Sequence, residues 1–141
     1  MNITYTFDEA KLERDLEATL AQVQDPVQEM MAKAFEDCTR ANFGIVGFER
    51  PNDWPPLSPL YAMKVGRTYA TLEVTGAMKS QLRTEGNVVK LTDDEVNYAL
   101  HHEKGKGVPV RSVFPMQGGE CMPLTLVDVT RAAEMELNQL L

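Results

Sequence analysis

Glycine and proline crowd into one short stretch of this 141-residue chain and divide it into two differently patterned parts. Residues 42–59 contain two glycines and four prolines, a density that excludes a continuous helix or a central strand there. Apolar residues ahead of the stretch recur with helical spacing, whereas many of those behind it alternate as in strands. The pattern predicts one α+β domain over 1–141, with N-terminal helices, a small antiparallel sheet with a short inserted helix, and a C-terminal helix.

Two amphipathic helices are predicted ahead of this stretch. Thr6 or Asp8 can cap the first, over about 9–23, because their side chains can accept a hydrogen bond from the first turn. Asp25-Pro26 indicates a second helix start, since Asp is a favoured cap and proline a favoured first residue. The apolar stripe of the first helix is Leu12, Leu16, Leu20 and Val23. Core packing explains the Met and Phe positions of the second helix, which extends to about residue 41.

The remaining elements are indicated by local signals. Ser58-Pro59 starts a short helical turn that Gly66 ends, and residues 82–91 are expected to form a further strand or a hairpin around Glu85-Gly86-Asn87. Thr92 opens a capping box, which predicts a helix over about 93–103 that Gly105 closes. Alternation predicts further strands over 3–7, 69–74 and 108–114. Pro123 opens the last helix, whose buried stripe is predicted to be Leu126, Val129, Ala133, Leu137 and Leu140.

Composition narrows the function classes. A net charge of −7 argues against wrapping nucleic acid with the whole surface. The two cysteines, Cys38 and Cys121, lack metal-type spacing and are expected to be reduced thiols. No window reaches the apolar length of a membrane span, and the first residues lack the pattern of a signal peptide. We therefore expect no membrane partner.

The stretch over 43–59 is predicted to be an extended arm or loop that holds unusual apolar surface. Its partner-facing candidates are Phe43, Phe48, Trp54 and Leu57. An arm carrying so much apolar surface is costly to leave in water, and docking on a partner explains it. A Trp54 that folds back onto its own core is at least as good an explanation.

His101-His102-Glu103 is the chain's one suggestion of metal chemistry. Neighbouring helical residues are splayed by about 100°, so adjacent histidines rarely ligate one ion. One histidine is expected to be half-buried and hydrogen-bonded, the other solvated. No nucleophile elbow, phosphate loop or dinucleotide motif is present. We expect no catalytic residues, no metal and no cofactor.

Basic residues cluster locally in this acidic chain. Lys104, Lys106 and Arg111 surround the loop that begins at Gly105, and such a strip can face the phosphates of DNA. A solvated loop explains the same residues equally well.

Several motifs, taken in order, resemble one known family. They are Trp54-x-x-Leu57-Ser58, Lys64, Leu72-x-x-Thr75-Gly76-x-Met78-x-Ser80, Tyr98-Ala99-x-x-His102-x-x-Gly105 and Pro109-x-Arg111. Together they resemble the phage virion morphogenesis family, which includes the Mu-like tail completion proteins. The resemblance covers about residues 5–140. Met78 and Ser112 stand where that family has leucine and proline.

The resemblance implies a non-enzymatic structural protein of a phage or prophage, acting at tail completion or head–tail joining. Related connector proteins form rings, often hexamers, around the channel that DNA passes. It therefore implies self-association, contacts with portal, connector or tail proteins, passing contact with DNA, and a place in the virion after assembly in the host cytoplasm.

Two other function classes stay open from the residues alone. One is a small metal-dependent hydrolase that uses His101, His102 and Glu103. The other is an adaptor domain that grips a partner through an arm carrying Trp54.

Overall fold

A computed structural model describes residues 2–4, 6, 8–72, 77–91, 98–105 and 107–141. Helix α1 spans Glu9–Ala41, 33 residues or about 50 Å. The Asp8 side chain caps it by accepting a hydrogen bond from the Lys11 amide at 3.0 Å, as the sequence predicts. The predicted division into two helices is wrong, because α1 continues through Pro26.

Proline inside a helix removes one backbone donor and crowds the carbonyl four residues earlier. Here that earlier residue is Gln22, which is exposed, so water can bond its carbonyl. Packing of the turns after Pro26 against the rest of the chain then outweighs the local start signal at Asp25.

The next elements follow their local signals. Helix α2 spans Pro59–Val65, with the Ser58 hydroxyl as its cap and Gly66 in the left-handed conformation at its end. Helix α3 spans Ala77–Gln81 and leads into strand β1, Leu82–Glu85, which pairs antiparallel with β2, Val88–Leu91. The predicted hairpin is confirmed, with Gly86 at φ +60° in its turn.

Helix α4 spans Tyr98–Lys104 and is closed by Gly105 at φ +69°. The predicted cap at Thr92 and the first residues of that helix lie outside the described residues. Strands β3, Met116–Gln117, and β4, Glu120–Cys121, form a second small hairpin over Gly118-Gly119. Helix α5 spans Pro123–Leu140, and Pro123 opens it as predicted.

Three predicted strands are wrong in the parts that the structure describes. Residues 2–4 and 6 have no regular structure. Residues 69–72 attach instead to the end of α1, where the Leu72 amide donates to the Phe43 carbonyl at 3.1 Å. Residues 108–114 have no regular structure, and among the described residues their backbone groups bond side chains and the end of α4, not a neighbouring strand.

The core lies between the second half of α1, the β1–β2 hairpin and the segment before β3. Its fully buried residues are Phe43, Leu82 and Val113, and half-buried Trp54, Leu72, Met78, Val89, Leu91 and Phe114 pack around them. Glu36 on α1 bonds Thr84 of β1, and Arg40 donates to the Leu82 carbonyl at 3.1 Å. These contacts hold the hairpin on α1, and the α+β fold class is confirmed.

Helix α5 covers only part of α1. It begins beside the last turns of α1, where the Cys38 Sγ lies 3.7 Å from the Asp128 carboxylate. Its buried positions are Thr125 and Val129, while Leu126 and Leu140 of the predicted stripe are exposed. At 18 residues α5 is about 27 Å long, so it cannot reach the first turns of α1 in any orientation. No helix within the described ranges is long and apolar enough to cross a membrane.

Candidate functional site

Asn42, at the C-terminal end of α1, organises the stretch predicted as an arm. Its side chain is fully buried and uses all of its hydrogen-bonding capacity. The amide nitrogen donates to the carbonyls of Glu49, at 2.8 Å, and Val113, at 2.7 Å. The amide oxygen accepts from the backbone of Phe48 and Glu49, each at 2.8 Å. One side chain thus holds residues 48–49 and 113 against the helix end.

Arg50 folds back over the same helix end. Its Nε and Nη2 donate to the Asn42 carbonyl at 3.0 and 2.7 Å, and its Nη1 donates to the Ile45 carbonyl at 3.2 Å. The carbonyls at a helix C-terminus carry partial negative charge, so a cation is favourable there. Burial lowers the pKa of Arg50. Gly47 has φ +72°, and a Cβ at this position meets the Arg50 side chain at 2.4 Å, so the turn requires glycine.

Trp54 lies against Arg50 at the end of α1, and it does not lie on an extended arm. The Arg50 guanidinium sits 3.4 Å from the centre of its ring, a cation–π contact, and its indole Nε1 donates to the Ser112 carbonyl at 3.2 Å. Of the predicted partner-facing residues, Phe43 is 0% exposed, so its expected contact with a partner is wrong. Phe48, 40% exposed, and half-buried Leu57 keep side chains at the surface, and their partner role stays a prediction.

Glu49 caps α5 from a distance. Met122, at the cap position of α5, makes no side-chain cap, and the Glu49 carboxylate takes its place. Its Oε1 accepts from the Leu124 amide at 2.9 Å, and its Oε2 accepts from the Thr125 amide at 2.7 Å and hydroxyl at 2.8 Å. Desolvation raises the pKa of Glu49, but these three bonds together outweigh it, and the pKa lies below its ordinary value.

The histidines of α4 lie against the segment that follows them. Both His101 and His102 are half-buried, as expected for one of them, whereas the other was expected to be solvated. Among the described residues the buried His102 Nδ1 has no hydrogen-bond partner, and burial, followed by the nearby Arg111 charge, lowers the pKa of this imidazole. Burial therefore favours the neutral form of His102.

Glu103 has a structural task. Its Oε1 accepts from the backbone amides of Val113, at 2.7 Å, and Phe114, at 3.5 Å. These bonds tie α4 to residues 113–114 at the core. In the part of the chain that the structure describes, no group of three histidine, cysteine or acidic side chains is arranged to hold a metal ion.

Arg111 is not on a DNA-facing loop, which corrects the prediction for this residue. It is 7% exposed, and its Nη2 donates to the Pro55 carbonyl at 3.1 Å. Its backbone amide donates to the His102 carbonyl at 2.8 Å, which fixes it beside α4. Lys104 is exposed, and Lys106 lies outside the described residues. A DNA contact at this loop therefore stays a prediction for the lysines alone.

The described residues form an apolar groove of about 490 Å³. It runs between the second half of α1, the β1–β2 hairpin and the segment 114–121, and Gln28 and Asn87, bonded to each other at 3.0 Å, form part of its rim. We call it the apolar groove; its lining includes Met31, Phe35, Val89, Phe114, Met116 and Val129. Cys121 also lines it.

The first turns of α1 expose a second apolar surface. Leu12, Leu16 and Leu20 are 60%, 58% and 58% exposed, and we call these three residues the N-terminal stripe. Every described residue from Asn2 to Gln22 is exposed. The stripe is therefore an apolar helix face that the described residues leave mostly exposed to solvent.

Comparison of the chain with protein-family models, with curated proteins and with solved structures found no match. The geometry therefore carries the functional argument, together with the motifs of the resemblance.

The sequence did not point to the residues that organise the site. An asparagine after a helix is a common terminator, but nothing local indicates that Asn42 reaches residue 113. Glu49 and Arg50 look like solvated loop charges because their partners lie at helix ends that only the fold brings near. The apolar groove has lining residues from four separate segments and no sequence pattern of its own.

Proposed function

We propose that this chain is a non-enzymatic structural protein of a tailed phage or prophage. It acts at tail completion or head–tail joining, as a ring of identical copies that contacts portal, connector or tail proteins. It is made in the cytoplasm of a bacterial host and becomes part of the virion.

The observation that carries this proposal is the amount of surface that the chain exposes. Its accessible area is 9979 Å². A compact monomer of this mass exposes about 7,300 Å², so the excess is about 2,700 Å². A standard stable interface takes about 800 Å² from each partner, and permanent assemblies take more. The excess thus fits a subunit that buries surface on two sides, as a ring subunit does.

The motifs behind the resemblance also meet in space, which supports it. The Trp54 indole bonds the carbonyl of Ser112, and the Arg111 guanidinium bonds the carbonyl of Pro55. The tryptophan–proline segment and the arginine segment are more than fifty residues apart, yet they hold each other. The two motifs are therefore linked by contacts within the fold, as is usual for motifs that define a fold.

The test has two parts. The mass of the purified chain in solution, with electron microscopy of the same sample, is expected to show a closed ring. Mixing that sample with the portal and tail proteins encoded beside it is expected to give a complex that co-elutes. A chain that neither self-associates nor binds any of these proteins contradicts the proposal, and so does a neighbourhood without phage genes.

A further inference from the structure

The N-terminal stripe cannot reach the apolar groove of its own copy while α1 stays helical. The apolar groove begins at Gln28 on the same helix. Leu20 and Leu16 precede Gln28 by about 12 and 18 Å along the axis. A helix cannot fold its own earlier turns onto its later ones, so the groove of the same copy is out of reach.

Packing of the stripe on another surface would stabilise the first turns of α1. Residues 9–22 extend as helix with every side chain exposed. Isolated helices shorter than about 12–15 residues are marginal in water, and most helices in proteins owe their stability to packing of an apolar face. A surface of matching character on another molecule supplies that packing.

We propose that the N-terminal stripe of one copy docks into the apolar groove of a second copy. Amphipathic helices recognise grooves through apolar residues spaced three and four apart, and the leucines of the stripe are four apart. The pairing rests on the self-association in the proposed function, but it does not rest on the virion role. It assigns the surfaces through which copies meet.

The area supports a second copy as the occupant. The chain exposes about 2,700 Å² more than a compact monomer, against about 800 Å² that each partner gives to a standard interface. Every copy carries one stripe and one groove, so copies that pair stripe to groove leave neither surface exposed. A different protein in the groove leaves the stripe without a partner.

Charge favours docking of the stripe in the groove over packing of one N-terminal stripe on the stripe of a second copy. Glu9, Glu13 and Glu17 are exposed, and each precedes a leucine of the stripe by three residues, so they lie beside it on the helix. An antiparallel two-fold pair of stripes brings these acidic rows together. The groove offers the neutral amides of Gln28 and Asn87 at its rim, and these do not repel the glutamates.

The pairing uses two different faces of each copy. Head-to-tail contacts of this kind build rings when the rotation between copies closes. The inferred contact is therefore compatible with the ring of the proposed function, and it places the helix of each copy across its neighbour.

A cysteine in the stripe tests the contact directly, because native Cys121 lines the groove. Leu16→Cys and Leu20→Cys are each oxidised with diamide, which accepts the two electrons and two protons that the thiols release. We expect a covalent species between copies that mass spectrometry maps to Cys121. Ala21→Cys, on the opposite side of the same helix, is the matched control and should form little of it.

The same oxidation with Cys121→Ser added decides between the two pairings. Loss of the covalent species supports docking in the groove. A species that persists, joined through two residues 16 or two residues 20, overturns it in favour of stripe on stripe. Absence of any species in an assembled sample also overturns it.

A charge in the stripe gives an independent readout. Leu16→Asp is expected to shift the solution mass to the monomer, whereas Ala21→Asp leaves the assembly unchanged. Circular dichroism of both variants verifies that the chain is folded. An assembly that tolerates Leu16→Asp contradicts the docking.

These outcomes separate the docking from the proposed function. A ring that forms without the stripe contact removes the inference and leaves the phage role standing. Confirmed docking in a chain that binds no portal or tail protein removes the phage role and leaves the docking standing. A chain that is monomeric at every soluble concentration overturns the docking even where it binds a tail protein.

Discussion

The two halves of helix α1 have the same backbone and opposite surroundings. Residues 28–41 contact the β1–β2 hairpin, helix α5 and the core, and include the buried Ala32, Cys38 and Thr39. Every residue over 9–22 is exposed, although three leucines line one face. Pro26 lies between the halves.

The difference shows that an apolar stripe does not say which molecule it will meet. The spacing of apolar residues is as regular in the first half as in the second, so sequence periodicity alone assigns both to a core. Only the length of α5 decides which half its own chain can cover. The uncovered half is then available for assembly.

The largest expected contrast comes from truncating one side chain on each side of this boundary. Phe43→Ala empties a fully buried position at the end of the covered half and should cost about 3–5 kcal/mol of unfolding free energy. Leu16→Ala should change the same quantity by at most about 0.5 kcal/mol, because its side chain is exposed. Urea unfolding at low protein concentration, where copies are separate, measures both. Similar losses for the two variants contradict the division of α1.

Local signals predicted much of the fold, and the reason is visible in particular residues. Asp8, Ser58, Gly66, Gly86 and Pro123 act within four residues of themselves, and each does what its type and position predict. The fold class follows from them, because they set the order of the elements.

The errors concern residues whose partners are distant. Pro26 has a strong local start signal that tertiary packing overrides. Residues 69–72 and 108–114 alternate like strands, but Phe43, Asn42 and Glu103 take their backbone bonds. Phe43 and Arg111 were assigned to surfaces for the same reason, since nothing local reveals that the fold buries them.

The next contrast concerns the bonds that anchor the covered half. Asn42→Ala leaves four backbone groups without the partner that Asn42 provides, and should cost about 2–4 kcal/mol. Asn138→Ala, at an exposed position of α5, is the control and should cost less than about 0.5 kcal/mol. Urea unfolding compares them. An Asn42 variant as stable as its control shows that water replaces the network without loss.

Pro26→Ala tests the boundary itself. Alanine restores the backbone donor and removes the clash with the preceding turn, which should stabilise the helix by about 2 kcal/mol. Hydrogen exchange is expected to slow mainly over residues 9–25, because the later turns are already held by the core. Gln24→Ala, which restores no donor, should leave exchange nearly unchanged. Equal slowing in both halves indicates that they open together and not separately.

The smallest expected effect concerns α5, the helix that covers the second half of α1. Glu49→Gln removes the charge that holds the first turn of α5 and should cost about 1 kcal/mol. The lowered pKa of Glu49 sets the pH dependence. A carboxylate whose pKa is lower in the folded state stabilises the fold fully above its ordinary pKa, and that stabilisation is lost as pH falls through the folded value.

The difference in unfolding free energy between the wild-type chain and Glu49→Gln isolates this effect. The wild-type curve alone does not, because the Thr84 and Arg40 contacts also lower the pKa of Glu36, despite its burial. The difference should be constant near neutral pH and should shrink once pH falls below the ordinary glutamate range. Hydrogen exchange of the variant should quicken in α5 and in residues 28–41 but not in residues 9–22, because α5 covers only the second half. A difference that grows on acidification has the wrong sign for a lowered pKa and removes Glu49 as the cap of α5.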